Sequence, residues 1–123
     1  MRFFHGQVWL YHATMQVVVW CRKGDDMYIA TIDGGTSNTR VFVSHDGILA
    51  GRAKAPVGVR NTAMDGTNQR LQEAVRDTLA EAARMAGVAT GDISIVLAAG
   101  MLTSDVGLCD IPHVTAPVSL EGL

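Results

Sequence analysis

Apolar and polar positions along the chain fall into two regimes that meet near Met27. Downstream of it, Tyr28 to Asp33 reads as a strand with Ile29 and Ile32 apolar. Thr39 to Ser44 reads as a second strand through Val41, Phe42 and Val43. Asp46–Gly47 is a strong two-residue hairpin signal, and Ile48 to Ala55 continues as a third strand. Pro56 to Asn68 is expected to be a loop containing Gly58, Arg60 and Asn61. A helix is predicted from about Thr67 to Ala86. Leu71, Val75, Leu79, Ala82 and Ala86 make one apolar stripe at helical spacing, and Arg70, Glu73, Arg76, Asp77, Glu81 and Arg84 cover the other side. Gly87 is a natural stop. Ile93 to Ala98 is an apolar run of strand length. Ala99–Ser104 is then a loop that opens a short helix at Ser104, and Val114 to Val118 forms a last strand after Pro112. The order is β-β-β-α-β followed by α-β, which is an α/β domain with a mixed sheet.

Upstream, no charged residue lies between Arg2 and Arg22. A signal peptide or membrane span therefore has to be weighed. His5, Gly6, Gln7, His12, Thr14 and Gln16 make the stretch too polar for a span, and no small-residue cleavage site follows. The preferred reading of residues 1–26 is an N-terminal extension outside the core, with Met27 as an alternative natural start. An extra strand from Val17 to Cys21 is the competing possibility. His5 and His12 are not expected to bind metal.

Composition narrows the functional classes. The chain has 123 residues, is 48% hydrophobic and 18% charged, and so can bury a core. With 10 Lys plus Arg against 12 Asp plus Glu, it lacks the basic excess of a dedicated nucleic-acid binder. Cys21 and Cys109 form neither a zinc signature nor a disulfide framework, and a cytoplasmic setting is expected.

The first chemical signal is Asp33-Gly34-Gly35-Thr36-Ser37-Asn38, an acid at the end of a buried strand followed by a tight turn. Glycines let backbone approach a ligand closely, and exposed N–H groups in such a turn can hold a phosphate. Asp33 can hold a hydrated Mg²⁺, an ion that keeps several waters and uses few carboxylates. There is no Walker loop, and no Rossmann fingerprint, because a strand rather than a helix follows. The bland alternative is a plain hairpin turn.

Ile32 to Arg40 resembles the first phosphate motif of the sugar kinase, Hsp70 and actin superfamily. Three segments make the chain resemble, more narrowly, the 2-dehydro-3-deoxygalactonokinase family. They are the Arg40 ending of that motif, Ala55-Pro56-Val57-Gly58-Val59-Arg60, and Ala99-Gly100-Met101-Leu102-Thr103-Ser104 running into Ile111-Pro112-His113-Val114-Thr115-Ala116-Pro117. The resemblance spans about Tyr28 to Leu123.

It implies a ribonuclease-H-like, actin-like ATPase half-domain over residues 27–123, the N-terminal lobe of a longer, two-lobed kinase. The implied reaction is ATP-dependent phosphorylation of 2-dehydro-3-deoxygalactonate at its terminal hydroxyl, giving the 6-phosphate. ATP and Mg²⁺ are the implied cofactors, and a C-terminal lobe the missing partner; nucleic acid and membrane are not expected partners. Gly34, Gly35, Thr36, Ser37 and Asn38 would bind the ATP phosphates, with Asp33 holding Mg²⁺ through water. Arg40, Arg60, Gly100, Met101 and Ser104 would bind the sugar acid. Arg40 has a structural ion pair as its alternative, Arg60 a solvated loop position, and His113 reads as structural. Asp105 is a poor catalytic base, and the catalytic acid is expected beyond Leu123, so the chain by itself is expected to be inactive. A non-catalytic nucleotide-binding or chaperone-like module of the same superfamily, and a fragment without function of its own, are the competing readings.

Overall fold

The computed structural model describes residues 7–13, 15–21 and 27–108. Six strands form one mixed sheet: β1 (Gln7–Ala13), β2 (Met15–Cys21), β3 (Tyr28–Gly34), β4 (Thr39–His45), β5 (Ile48–Ala55) and β6 (Ile95–Gly100), in the order β1-β2-β6-β3-β4-β5. Strand β3 is central. It pairs antiparallel with β4 and parallel with β6, with Gly34 opposite both Thr39 and Gly100. Parallel neighbours need a long connection; here it runs through β4 and β5 and then through residues 56–94, which lead from β5 back to β6. Two helices lie in that last stretch, α1 (Val59–Asp65) and α2 (Gln69–Met85).

Strands β3 to β5 follow from alternation. Along β4, Thr39, Val41 and Val43 are buried while Arg40 and Phe42 are exposed, the period-2 pattern of a sheet with one covered face. The hairpin turns at Asp46 and Gly47, with φ of 49° and 82°. Positive φ at both positions is the twist-matched two-residue turn that Asp-Gly favours. Helix α2 covers one sheet face with Leu71, Val75, Leu79, Ala82 and Ala83, packed against Ala30, Ile32, Val41, Val43 and Val96. Full burial of a Leu stabilises by about 1.5–3 kcal/mol, and Leu71 and Leu79 are both essentially inaccessible. The helix approaches β5 at Gly51, where any Cβ would collide with the Ala82 carbonyl and the Ala86 backbone. Gly87, at φ 79°, ends α2: its N–H donates to Arg84 C=O and the Val88 N–H to Ala83 C=O. That pair is a Schellman closure.

Three expectations are corrected. The segment Pro56–Asn68 is not all loop, because Val59–Asp65 is helical. Only Val59 of α1 is buried, so no apolar stripe announces it. Its ends are instead set by Gly58, whose N–H donates to Asn61 Oδ1 at 3.1 Å, and by Gly66 in the left-handed region at φ 74°. The run Ile93–Ala98 starts its strand two residues late and carries it through Gly100, since Thr90–Asp92 forms a 3₁₀ turn that Ile93 caps. The loop Ala99–Ser104 likewise holds a 3₁₀ turn at Met101–Thr103, which Ser104 closes rather than opening a helix.

Residues 1–26 were expected to lie outside the core; their strand β2 hydrogen-bonds to β6 over Val18–Cys21, so the competing strand at Val17–Cys21 falls within β2. The expected strand Val114–Val118, His113 and Cys109 lie outside the described residues. Among the described residues, no helix is long and apolar enough to cross a membrane.

Candidate functional site

The first two segments singled out in the sequence and the described part of the third, Ala99–Ser104, come together at one end of the sheet. Strands β3 and β6 run parallel and end side by side, Asp33 opposite Ala99 and Gly34 opposite Gly100. Strand β4 begins and β5 ends at the same edge, with Thr39 opposite Ala55. The carboxyl ends of parallel strands are the usual ligand side of an open α/β sheet.

The turn Gly35–Asn38 closes with a hydrogen bond from Gly35 N–H to Asn38 C=O, 2.8 Å. Its carbonyls are then taken up from behind. Val59 N–H donates to Gly35 C=O at 3.1 Å and Arg60 N–H to Thr36 C=O at 3.0 Å. These two donors belong to the first turn of α1, where backbone N–H groups have no partner within the helix. Thr39, fully buried, adds a strut: its hydroxyl donates to Val57 C=O at 2.8 Å. Gly58 is buried against the carbonyls of Gly35 and Thr36, so closely that a Cβ would overlap both oxygens. With the carbonyls held inward, the N–H groups of Thr36, Ser37 and Asn38 donate to nothing among the described residues. Thr36 and Ser37 are exposed. Consecutive free amides of this kind make an anion-binding concavity.

Gly100 and Leu102 shape the other wall. Gly100 has φ 79° and ψ −142°, a conformation essentially restricted to glycine. A Cβ there would run into the Gly34 carbonyl and come within 3.1 Å of Asp33 Oδ1. Leu102, buried, fills the space above Gly34 that a side chain at 34 would need. Met101 reaches the turn directly: Thr36 Oγ1 donates to Met101 Sδ at 3.4 Å. Ser104 spends its hydroxyl on Met101 C=O, 2.7 Å away, which closes the 3₁₀ turn. The segment is anchored to α2 through Asn68 Nδ2, which donates to Gly107 C=O at 3.0 Å.

The charged candidates flank this frame. Asp33 and Arg40 are cross-strand neighbours on the sheet face away from α2, with Arg40 Nη1 3.9 Å from Asp33 Oδ2. The separation is long for a hydrogen-bonded pair, and the side chains are 60% and 51% exposed, so each retains room for a ligand. Arg60 is exposed at the start of α1, beside Thr36. Asp105 is exposed on the turn after Ser104.

Sequence reasoning missed Thr39 and Gly58, which orient the turn without reaching any ligand. Gly58 left a trace, a glycine three residues before Asn61; Thr39 left none, since its role depends on where Val57 comes to rest.

Among the described residues no cluster of three His, Cys, Asp or Glu could enclose a metal. Asp33 is a single exposed carboxylate beside free amides, a donor set that fits Mg²⁺ held mainly by water and phosphate oxygens. Comparison with protein families adds one finding: the model of the 2-keto-3-deoxy-galactonokinase family matches residues 33–123, about three quarters of the chain. Neither the curated proteins nor the solved structures give a match.

Proposed function

The chain belongs to the 2-keto-3-deoxy-galactonokinase family, and from that premise we propose that it carries the first phosphate turn and part of the sugar-acid site of an ATP-dependent kinase. The substrate is 2-dehydro-3-deoxygalactonate, phosphorylated at its terminal hydroxyl to the 6-phosphate. The fold is read as a ribonuclease-H-like, actin-like ATPase half-domain. The order β5-β4-β3-β6, with three antiparallel strands and a fourth parallel to the first, supports that reading.

One observation carries the proposal: the turn after β3 has its carbonyls bound by α1 and the amides of Thr36, Ser37 and Asn38 free, with Asp33 beside them. Phosphoryl transfer depends on positioning and charge neutralisation more than on covalent chemistry from the protein. Gly35 keeps the backbone open to a phosphate chain, Gly34 leaves the room that Leu102 fills behind the turn, and the Ser37 hydroxyl adds a donor to the amides of Thr36, Ser37 and Asn38. Asp33 would orient the water shell of Mg²⁺. When bound, Mg-ATP supplies the transferable phosphoryl group and a dication that neutralises it. Arg40 and Arg60 provide fixed cations for phosphate or for the substrate carboxylate. Gly100 and Met101 line the wall on which the sugar acid rests, and Ser104 holds the Met101 turn in shape.

Asp33→Asn tests the reading. Its side chain is largely exposed, so the fold should survive while Mg-nucleotide binding falls by at least about tenfold, equivalent to about 1.4 kcal/mol. Calorimetric titration of Mg-ATP against the wild type and the variant gives the ratio. An unchanged affinity would reduce Asp33 to a turn residue. The alternative of a non-catalytic nucleotide-binding module shares the turn but not the acceptor: it expects Mg-ATP binding with no response to the sugar acid.

A further inference from the structure

Next to the site just described, and sharing Arg40 with it, the sheet face away from α2 carries three cations against one acid. In the β4–β5 register Arg40 stands directly opposite Lys54, and Phe42 opposite Arg52. All four are exposed and alternate with residues of the buried face, so the three cations share one surface. On the far side of Arg40, in the same cross-strand row, is Asp33. The row therefore reads acid, cation, cation across three adjacent strands spaced about 4.8 Å apart.

Like charges placed directly opposite on neighbouring strands destabilise a sheet. Asp33 offsets only the Arg40 side of the pair, and from 3.9 Å. Among the described residues Lys54 and Arg52 have no ion-pair partner, and Asp33 reaches only Arg40. The chain as a whole has net charge −2, so this is a local concentration against the overall sign. The cations also sit at the strand ends that meet the phosphate turn, since Arg40 follows Thr39 and Lys54 precedes Ala55.

The geometry points to Arg40 and Lys54 acting as one oxyanion-binding pair, a site for a phosphate or carboxylate group, with Arg52 reinforcing it from the next row. Arg40 supplies a planar fork and Lys54 a mobile point charge, and an oxyanion between them turns a repulsive contact into two charge-assisted hydrogen bonds. The site itself follows from strand register; only the choice of a sugar-acid carboxylate or a nucleotide phosphate as occupant rests on the kinase reading.

The test uses the 123-residue chain, titrated separately with inorganic phosphate and with pyruvate, a small 2-keto acid, and followed by amide and side-chain NMR shifts. Lys54→Gln and Arg40→Gln should each weaken binding about tenfold or more, and the double variant should be little worse than either single one, because the two groups act together. Lys54→Arg should restore most of the binding. Without ligand, Lys54→Gln should melt higher than the wild type, because it removes the repulsion. Preference for phosphate or for pyruvate identifies the occupant, and either preference supports the site. The proposal is overturned if neither anion binds, if Lys54→Gln binds as the wild type does, or if Arg76→Gln on the outer side of α2 weakens binding equally. That last result would mean diffuse charge attraction. None of these outcomes depends on Mg-ATP, so the Asp33→Asn experiment stands or falls separately.

Discussion

At the scale of single residues, the decisive positions are glycines where something else occupies the space of a side chain. Gly58 has the oxygens of Gly35 and Thr36 where its Cβ would go. Those oxygens are backbone, so they cannot swing aside as a flexible side-chain tip could. Gly58→Ala must push the turn outward or break the bonds from Val59 and Arg60. We expect it to weaken Mg-nucleotide binding as strongly as Asp33→Asn, and unlike Asp33→Asn to lower the melting temperature as well. Calorimetry together with a thermal melt separates the two effects. If Gly58→Ala leaves both unchanged, the turn is not held by α1 as described. The contrast with Gly47 is useful: it also has positive φ, but nothing lies within 4 Å of its missing Cβ. A substitution there costs conformation only, of order 1 kcal/mol.

At the scale of elements, the contact of α2 with the sheet decides stability. The helix meets β5 at Gly51, where the Ala82 carbonyl and Ala86 backbone are the near neighbours. Gly51→Val should lift the helix from the sheet and cost about 2–4 kcal/mol, the upper end of overpacking because the obstacle is main chain. Denaturant unfolding measures it; a loss under about 1 kcal/mol would mean that the helix slides without penalty.

The exposed face of α2 is expected to matter much less. In its last turn Arg84 Nη2 lies 2.6 Å from Glu81 Oε1, and that hydrogen bond holds the Glu81 carboxyl below its usual range and raises Arg84. A lowered folded-state value means that the pair stabilises fully above the unfolded Glu value, near 4.3, and the contribution is lost as pH falls through the lower folded value. Arg84 stays charged throughout. Glu81→Gln should therefore lower the melting temperature slightly near pH 7 and have no effect in strong acid. Melts across pH 2–7 would show it, and a difference that grows toward low pH would reverse the assignment. The effect stays small because both side chains are half-exposed or more.

At the scale of the whole molecule, every buried apolar residue of the described core lies between Ala30 and Leu102. Strand β2 meets the remainder by pairing Val18–Cys21 with Ile95–Ala98 of β6 and by lying near the 3₁₀ turn at Met101–Thr103. Deleting residues 1–26 should leave a cooperatively folding domain, because α2 and β3–β6 keep their mutual contacts. What the deletion uncovers is the outer edge of β6, and an exposed strand edge promotes association. Thermal melts at several protein concentrations would report this. A concentration-dependent melt that remains cooperative is expected, whereas loss of the cooperative transition would mean that the first two strands are integral to the core.

Much of this protein is written in local pattern. The alternation over β3, β4 and β5, the Asp46–Gly47 hairpin, the stripe of α2 and its stop at Gly87 follow from periods of 2 and 3.6 and from glycine's access to positive φ, all of which act over a few residues. The Asp33–Asn38 turn is legible for the same reason, since its chemistry is contiguous. Only the tertiary structure decided the rest. Helix α1 has one buried residue and no stripe; the carbonyls of Gly35 and Thr36 and the Asn61 cap hold it. The meeting of Gly34, Gly58 and Gly100 depends on β6 returning parallel to β3 after a connection that runs through β4, β5 and both helices. The opposition of Arg40 and Lys54 depends on strand register, which includes a shift between Val43 and Ser44. A shift of one residue sends every following side chain to the other face. Composition cannot reveal such a shift, because it is fixed by the packing of the two strands against α2.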